Sequence, residues 1–288
     1  MSEELLDLVI VGCGPAGLSA AINAKIRKQN FIIFGLDFCS PKLSWAPTID
    51  NYLGFFKIKG EDLRQKFLKH VEDMEIEIKS QRVDKILKID KHFMLQCGEK
   101  NYSAKSVIVA TGVESGKKIT GEKDFIGRGV SYCATCDGPL YNDKVCAMIT
   151  YSSEGEEELK FLADICSKIY YLPQHEKVLE NVSENVERIN AKPKEIKGGM
   201  MVEKLILEDG KELSVDGIFI YRPNLPPDQL VPGVETESKA LKVNRNLETN
   251  IEGLFAAGDC TGAPYQLGKA VGEGQTAALN AVKYIAKH

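Results

Sequence analysis

Apolar residues along this chain gather in short runs separated by turn formers, a spacing that predicts parallel strands alternating with helices. Residues 5–11 (LLDLVIV) form such a run, interrupted only by Asp7 and apolar enough to read as a buried parallel strand. An Ala-rich amphipathic stretch from about 15 to 28 follows as a helix, and residues 31–34 (FIIF) make the next strand. This strand–helix–strand unit opens a doubly wound sheet. Residues 41–54 are rich in turn formers, 60–73 have a helical pattern, and 74–109 break into several strands ending in SVIVATG at 106–112. Residues 113–123, with Gly116, Lys117, Lys118 and Gly121, have the composition of a linker. A second strand–helix–strand pattern runs from Val145 to about Leu172, short strands continue to about Tyr221, and RPNLPP at 222–227 interrupts them. The chain closes with a strand after Ile251, a Gly-Asp turn and a long Ala-rich helix. The pattern predicts an α/β protein of two units, with 1–113 and 242–288 forming one and 114–241 inserted as the other.

At 288 residues the chain is long enough for two cores. Apolar content of 43% beside 27% charged residues fits a globular enzyme. No run reaches the roughly 18 apolar residues of a membrane span, and no basic-then-apolar leader is recognised at the start. A cytoplasmic protein without a membrane partner is expected. The net charge of -4 supplies no basic surplus for nucleic acid. Among eight cysteines, Cys13, Cys39, Cys97, Cys146, Cys166 and Cys260 are scattered, several in apolar runs, and are expected to be small buried hydrophobes. Only Cys133 and Cys136 form a tight pair. Without a secretion signal, a lone C-x-x-C is a redox pair or half of a metal site. His70, His92, His175 and His288 show no grouping that would complete a zinc tetrad, so no metal is expected.

Two motifs carry chemistry. GCGPAG at 12–17 fits G-x-G-x-x-G between a strand and a helix. Two of its glycines allow a tight turn and close approach of backbone to a pyrophosphate, and the third lets helix and strand pack closely. The helix N-terminus then offers unpaired N–H groups and partial positive charge to the phosphates. Alone, the motif also fits a Gly-rich turn in an unrelated α/β protein. The second motif is CATCDG at 133–138. Cysteines three apart at a helix start close a small disulfide, and the local dipole lowers a thiol pKa so that thiolate is available near neutral pH. The adjacent carboxylate can move protons.

CATCDG, together with VIVATG at 107–112 and LFAAGD at 254–259, resembles the low-molecular-weight thioredoxin reductases, and the likeness covers nearly the whole chain. It implies an α/β two-dinucleotide-binding-domain flavoprotein fold: a split FAD domain at 1–113 and 242–288, and an inserted, degenerate nucleotide-binding-like domain at 114–241 carrying C-x-x-C. FAD would be held by Gly12, Gly14, Pro15, Ala16 and Gly17, by Ala110, Thr111 and Gly112, and by Gly258 and Asp259. The resemblance places Val83 at the adenine, Asn51 in a flavin-contacting segment, and Gln266 and Leu267 at the flavin ring. It implies that Cys136 faces the flavin, that Cys133 attacks the disulfide of thioredoxin, and that Asp137 is the acid/base. It also implies a homodimer. Tyr52 and Leu53 replace the family's usual Trp and Pro, and CSPKLS at 39–44 stands where Gly-Gly-Gln is usual.

The inserted domain of the family binds NADPH through a second Gly-rich loop and a His-Arg-Arg strand end. Here Ile149, Thr150 and Tyr151 occupy the glycine positions, and Leu172, Pro173 and Gln174 the cationic ones. Side chains thus fill the space that backbone must yield to phosphate, and a 2'-phosphate lacks its charge-assisted partner. Glu154 and Glu158 add negative charge at the following helix start, or simply cap it. The chain therefore looks like the flavin-type ferredoxin-dependent thioredoxin reductases, with reduced ferredoxin as the implied donor. The alternative is an NAD(P)H-dependent thioredoxin reductase with a divergent pocket; a redox-sensing flavoprotein and a reductase of peroxide or small disulfides are further readings. Ferredoxins are acidic, so docking is expected on Lys57, Lys59, Arg64, Lys66 and Lys69, or on Lys117, Lys118, Lys123 and Arg128. Gly112, Gly116 and Gly121 are candidate hinges for rotation of the inserted domain.

Overall fold

The computed structural model describes residues 5–36, 39–44, 46–113, 119–176, 178, 182–222 and 225–288. The chain folds into two units, Met1–Glu114 with Pro226–His288, and Ser115–Leu225. The first begins with β1 (Leu5–Val11), α1 (Pro15–Ile26), β2 (Phe31–Gly35), a short α2 (Pro41–Ser44) and α3 (Gly60–Asp73). Strands β3 (Ile78–Ser80), β4 (Lys85–Ile89), β5 (His92–Cys97) and β6 (Lys100–Val109) complete its N-terminal part. The second unit contains β7 (Val130–Ser131), α4 (Ala134–Asp137), β8 (Val145–Thr150), α5 (Gly155–Ala163) and β9 (Lys168–Pro173). It continues through β10 (Val186–Arg188), β11 (Pro193–Gly198), β12 (Val202–Leu207), β13 (Glu212–Ser214) and β14 (Gly217–Tyr221). The chain then returns to the first unit with α6 (Pro227–Leu230), β15 (Thr236–Glu237), β16 (Ala240–Leu241), β17 (Leu254–Ala256) and α7 (Leu267–Ile285).

In the first unit β1 is the central parallel strand, paired with β2 (Val9 opposite Ile32) and β6 (Val9 opposite Val107). Its Leu8, Val9 and Ile10 are fully buried, as a run apolar on both faces requires. The sheet order is β3-β2-β1-β6-β5-β4. The ten-residue β6 serves two neighbours on one side: its first half pairs antiparallel with β5, and its last three residues pair in parallel with β17. Small residues let α1 and α7 approach closely. Ala20, Ala21 and Ala24 on α1 and Ala277, Ala278 and Ala281 on α7 are all fully buried. A Cβ added at Gly274 would lie 2.0 Å from the Ala16 carbonyl oxygen.

The second unit is built on a parallel sheet of order β10-β9-β8-β14-β7, beside a three-stranded antiparallel sheet β11-β12-β13. Helix α5 packs Leu159 and Leu162 into a core with Met148, Tyr171 and Phe219. The return to the first unit falls at Pro226, earlier than the boundary at 242 that the sequence pattern suggests. The reason is packing: α6 lies against β4, and the β15–β16 hairpin lies against the turn at 259–262, where a Cβ on Gly262 would be 3.3 Å from Ala240 Cβ. Among the described residues no helix is long and apolar enough to cross a membrane.

Candidate active site

The Gly-rich loop after β1 has the geometry that its spacing implies. Gly12 has φ +115°, and a Cβ there would sit 2.3 Å from the Ala110 carbonyl oxygen, so the loop closes against the end of β6. A Cβ on Gly17 would sit 1.8 Å from the Gly12 carbonyl oxygen, which locks helix to strand. Gly14, by contrast, faces open space, with nothing within 4 Å of an added Cβ. It is also the N-cap of α1 and supplies no side-chain cap, so the first turn keeps its N–H groups for a ligand. Pro15 occupies the first helical position, where its missing N–H costs nothing. Cys13 and Cys39 are buried as expected, but they are not separate hydrophobes: they form a disulfide.

The other expected cradle residues gather in the same unit. Ala110, Thr111 and Gly112 follow β6, and a Cβ on Gly258 would meet Ala16 Cβ at 2.8 Å. Val83 is buried and lies just past β3, where the Gln81 N–H donates to the Gly35 carbonyl at 3.0 Å. Asn51 Nδ2 donates to Gln266 Oε1 at 3.0 Å, joining two distant segments, and Gln266 is the N-cap of α7 with Leu267 as its first residue. The Gly258–Asp259 turn is held by residues the sequence did not single out. Lys269 Nζ donates to the Gly258 carbonyl (3.0 Å), Thr261 Oγ1 (2.8 Å) and Glu273 Oε2 (3.0 Å), and Glu273 Oε2 accepts from the Gly258 N–H at 2.8 Å. Their only sequence signal is Lys–Glu spacing on a helix, which ordinary surface helices share.

Cys133 and Cys136 are joined, with Cα atoms 5.3 Å apart. Cys133 is the N-cap of α4, and its Sγ accepts from the Cys136 N–H at 3.2 Å. Ser131 Oγ donates to Asp137 Oδ2 at 2.7 Å and accepts from the Cys133 N–H at 3.1 Å, so one hydroxyl fixes both the carboxylate and the dithiol backbone. From α5, Glu158 Oε2 accepts from the Ala134 N–H at 3.0 Å. Glu158, in the first turn of α5, thus also anchors the dithiol loop. Cys133 is buried, whereas Cys136 and Asp137 are half-buried. Burial pushes Cys97 and Cys260 up to about 12, so neither supplies thiolate near neutral pH.

Behind the dithiol lies a buried ion pair. Arg222 Nη1 and Nη2 donate to Glu122 Oε1 and Oε2 at 2.5 and 3.0 Å, both side chains being fully buried. The Tyr132 hydroxyl donates to Glu122 Oε1 at 2.5 Å and the Ile119 N–H to Oε2 at 2.9 Å. Burial alone raises the Glu122 pKa, but the hydrogen bonds from Arg222, Tyr132 and Ile119, with the Arg222 charge, bring it below the usual carboxylate range. The Arg222 guanidinium also stacks 4.8 Å from the Tyr151 ring centre.

The glycine positions of the second unit are filled. Thr150 is fully buried, and its Oγ1 lies 3.0 Å from His175 Nε2 and 3.4 Å from the Tyr171 hydroxyl, which donates to Glu156 Oε1 at 3.3 Å. This network ties the end of β8 to Glu156 in the first turn of α5. Leu172 is fully buried, and Gln174 Nε2 is spent on the Pro173 and Ala191 carbonyls at 3.1 and 3.0 Å. Of the expected docking cations, Arg64 is buried and donates to the Cys39 carbonyl at 2.6 Å and to Glu61 at 2.9 Å, so it is structural. Lys69 is paired with Asp73 at 2.6 Å. Lys117, Lys118 and Gly116 lie outside the described residues.

Residues 6–274 match the family described as pyridine nucleotide-disulphide oxidoreductase. The chain belongs to this family. It is 31% identical to a thioredoxin reductase of Ureaplasma parvum over 307 aligned residues, covering 100% of this chain and 99% of that one. The crystal structure of a ferredoxin-flavin thioredoxin reductase from Clostridium acetobutylicum is 46% identical, with a TM-score of 0.94 and coverage of 98% and 99%. The atypical thioredoxin reductase from Desulfovibrio vulgaris Hildenborough is 29% identical with a TM-score of 0.75, covering 98% and 99%. FAD is the cofactor of these flavoproteins, and the residues present fit it: an open face at Gly14, uncapped N–H groups on α1, and a closed Gly12–Ala110 contact beneath. Gly17→Ala is expected to destabilise the first unit by about 3 kcal/mol, the upper range of overpacking, and to yield protein without flavin. Flavin absorbance and thermal unfolding of the purified variant check this; a fully loaded variant of wild-type stability would contradict it.

Proposed function

We propose that this protein reduces the disulfide of thioredoxin through the Cys133–Cys136 pair, with electrons supplied by a reduced ferredoxin. The observation that supports the donor assignment is the Thr150–His175–Tyr171–Glu156 network, side chains joined at the strand end where the family resemblance puts a Gly-rich phosphate loop. The ferredoxin-flavin enzyme of Clostridium acetobutylicum, 46% identical, supports the same reading. FAD, when bound, supplies the interchange between single electrons and the electron pair that a disulfide takes up. A ferredoxin near -400 mV lies about 130 mV below a thioredoxin-type disulfide near -270 mV, roughly 6 kcal/mol of driving force over two electrons.

The chain's own residues perform the exchange. Once the pair is reduced, the Cys133 thiolate attacks one sulfur of the substrate disulfide, forming a mixed disulfide and expelling the other sulfur as thiolate. Asp137, held by Ser131, delivers the proton to that leaving thiolate. The Cys136 thiolate then attacks Cys133 Sγ, which releases the second substrate thiol and restores the Cys133–Cys136 disulfide. The donor reading is tested by calorimetric titration with NADPH and NADH. Neither is expected to bind; saturable tight binding of either would overturn the assignment of the filled pocket.

A further inference from the structure

The Cys13–Cys39 disulfide ties the cofactor cradle to the segment that replaces the family's Gly-Gly-Gln. Cys13 stands between the two glycines that approach the pyrophosphate, and Cys39 lies in the loop between β2 and α2. The bond is built into its surroundings. A Cβ on Gly35 would lie 2.3 Å from Cys13 Sγ, so the end of β2 leaves room for the sulfur only as glycine. Ser40 Oγ donates to the Cys13 carbonyl at 3.3 Å, and the buried Arg64 from α3 donates to the Cys39 carbonyl at 2.6 Å. Each cysteine is 6% exposed. The dithiol exchange at Cys133 and Cys136 makes no use of this second bond.

We propose that the Cys13–Cys39 disulfide is a redox-operated clasp on the FAD site: bonded, it holds the pyrophosphate loop ready for the cofactor, and its reduction to two thiols weakens FAD binding. The physical basis is preorganisation. The cross-link removes loop conformations that cannot bind, so less ordering is charged against cofactor affinity. In the reduction, an incoming dithiol attacks one sulfur, forms a mixed disulfide and releases the other as a thiol. Its second thiol then displaces the first. The reductant leaves as a disulfide, having passed two electrons and two protons to Cys13 and Cys39. By reciprocity, FAD must protect the bond from reduction by the same factor by which the bond tightens FAD.

The test uses the Cys133→Ser/Cys136→Ser variant, in which Cys13–Cys39 is the one remaining disulfide among the described residues. Its holoprotein is diluted before and after treatment with dithiothreitol, and FAD release is followed by the rise in free-flavin fluorescence. Release is expected to be at least about fivefold faster after reduction, the lower end of ordinary site-to-site coupling, which is expressed chiefly in dissociation. Adding Cys39→Ser should give the fast rate in both conditions. A second readout is independent of that variant's folding: a redox titration of Cys13 and Cys39 by alkylation and mass spectrometry, with and without saturating FAD. A fivefold coupling corresponds to a midpoint about 20 mV more negative with FAD. Equal release rates with equal midpoints overturn the proposal, as does finding both cysteines free to alkylate in air-oxidised protein.

Discussion

Cys133→Ser and Cys136→Ser are each expected to lower protein-disulfide turnover by about 10⁴-fold or more, as when one member of a cooperating catalytic set is removed, while FAD stays bound. The loss is chemical. Serine at 133 can still accept from the Cys136 N–H as an N-cap, so α4 keeps its start, but an alkoxide is not available near neutral pH. Serine at 136 leaves the attacking thiol in place and removes the thiol that resolves the mixed disulfide. That variant should therefore accumulate a covalent adduct with oxidised substrate, visible as an added mass, whereas the Cys133 variant should not. The cradle residues belong to the other compact unit, so flavin absorbance should match wild type in both. Substantial turnover in either variant would remove the pair from the mechanism.

Glu122→Gln is expected to destabilise the second unit by about 3–5 kcal/mol, the range for breaking a buried ion pair and leaving one charge uncompensated. Arg222 is fully buried, and the carboxylate is its charge partner in a bidentate pair. The paired replacement Glu122→Gln/Arg222→Met should be less damaging than the single one, since no orphaned charge remains. The same pair sets an acid limit. The folded-state pKa of Glu122 lies below its ordinary value of 4.5, so its contribution is complete above that pH and fades as pH falls through the depressed folded value. Urea unfolding of wild type and Glu122→Gln across this acid range should converge at the lowest pH. A constant difference would show that Glu122 is not the titrating group.

The layers of this fold were legible where a pattern had one physical meaning. A short, largely apolar run bounded by turn formers suits a buried parallel strand, and β1, α1, α3 and α7 fall where hydrophobic spacing and turn formers place them. The Gly-rich loop and C-x-x-C were legible because their chemistry is local. What stayed hidden depends on contacts between distant positions. Cys13 and Cys39 lie 26 residues apart in contexts that suit a buried hydrophobe, and spacing carries no pairing information. Arg222 reads as loop because prolines follow it, and its partner Glu122 lies 100 residues away. Arg64 sits on a helix so charged that its neighbours mask its inward direction. Glu158 follows two other glutamates, so no spacing distinguishes the one that reaches Ala134.

The most direct test is an anaerobic reaction of the FAD-loaded protein with NADPH, NADH and reduced ferredoxin in turn, with oxidised thioredoxin present, following flavin bleaching and thiol release. Both signals are expected with ferredoxin and neither with a nicotinamide nucleotide. Rapid bleaching and thiol release with NADPH would contradict the account, because the side chains that fill the second unit's glycine positions would then not exclude the nucleotide.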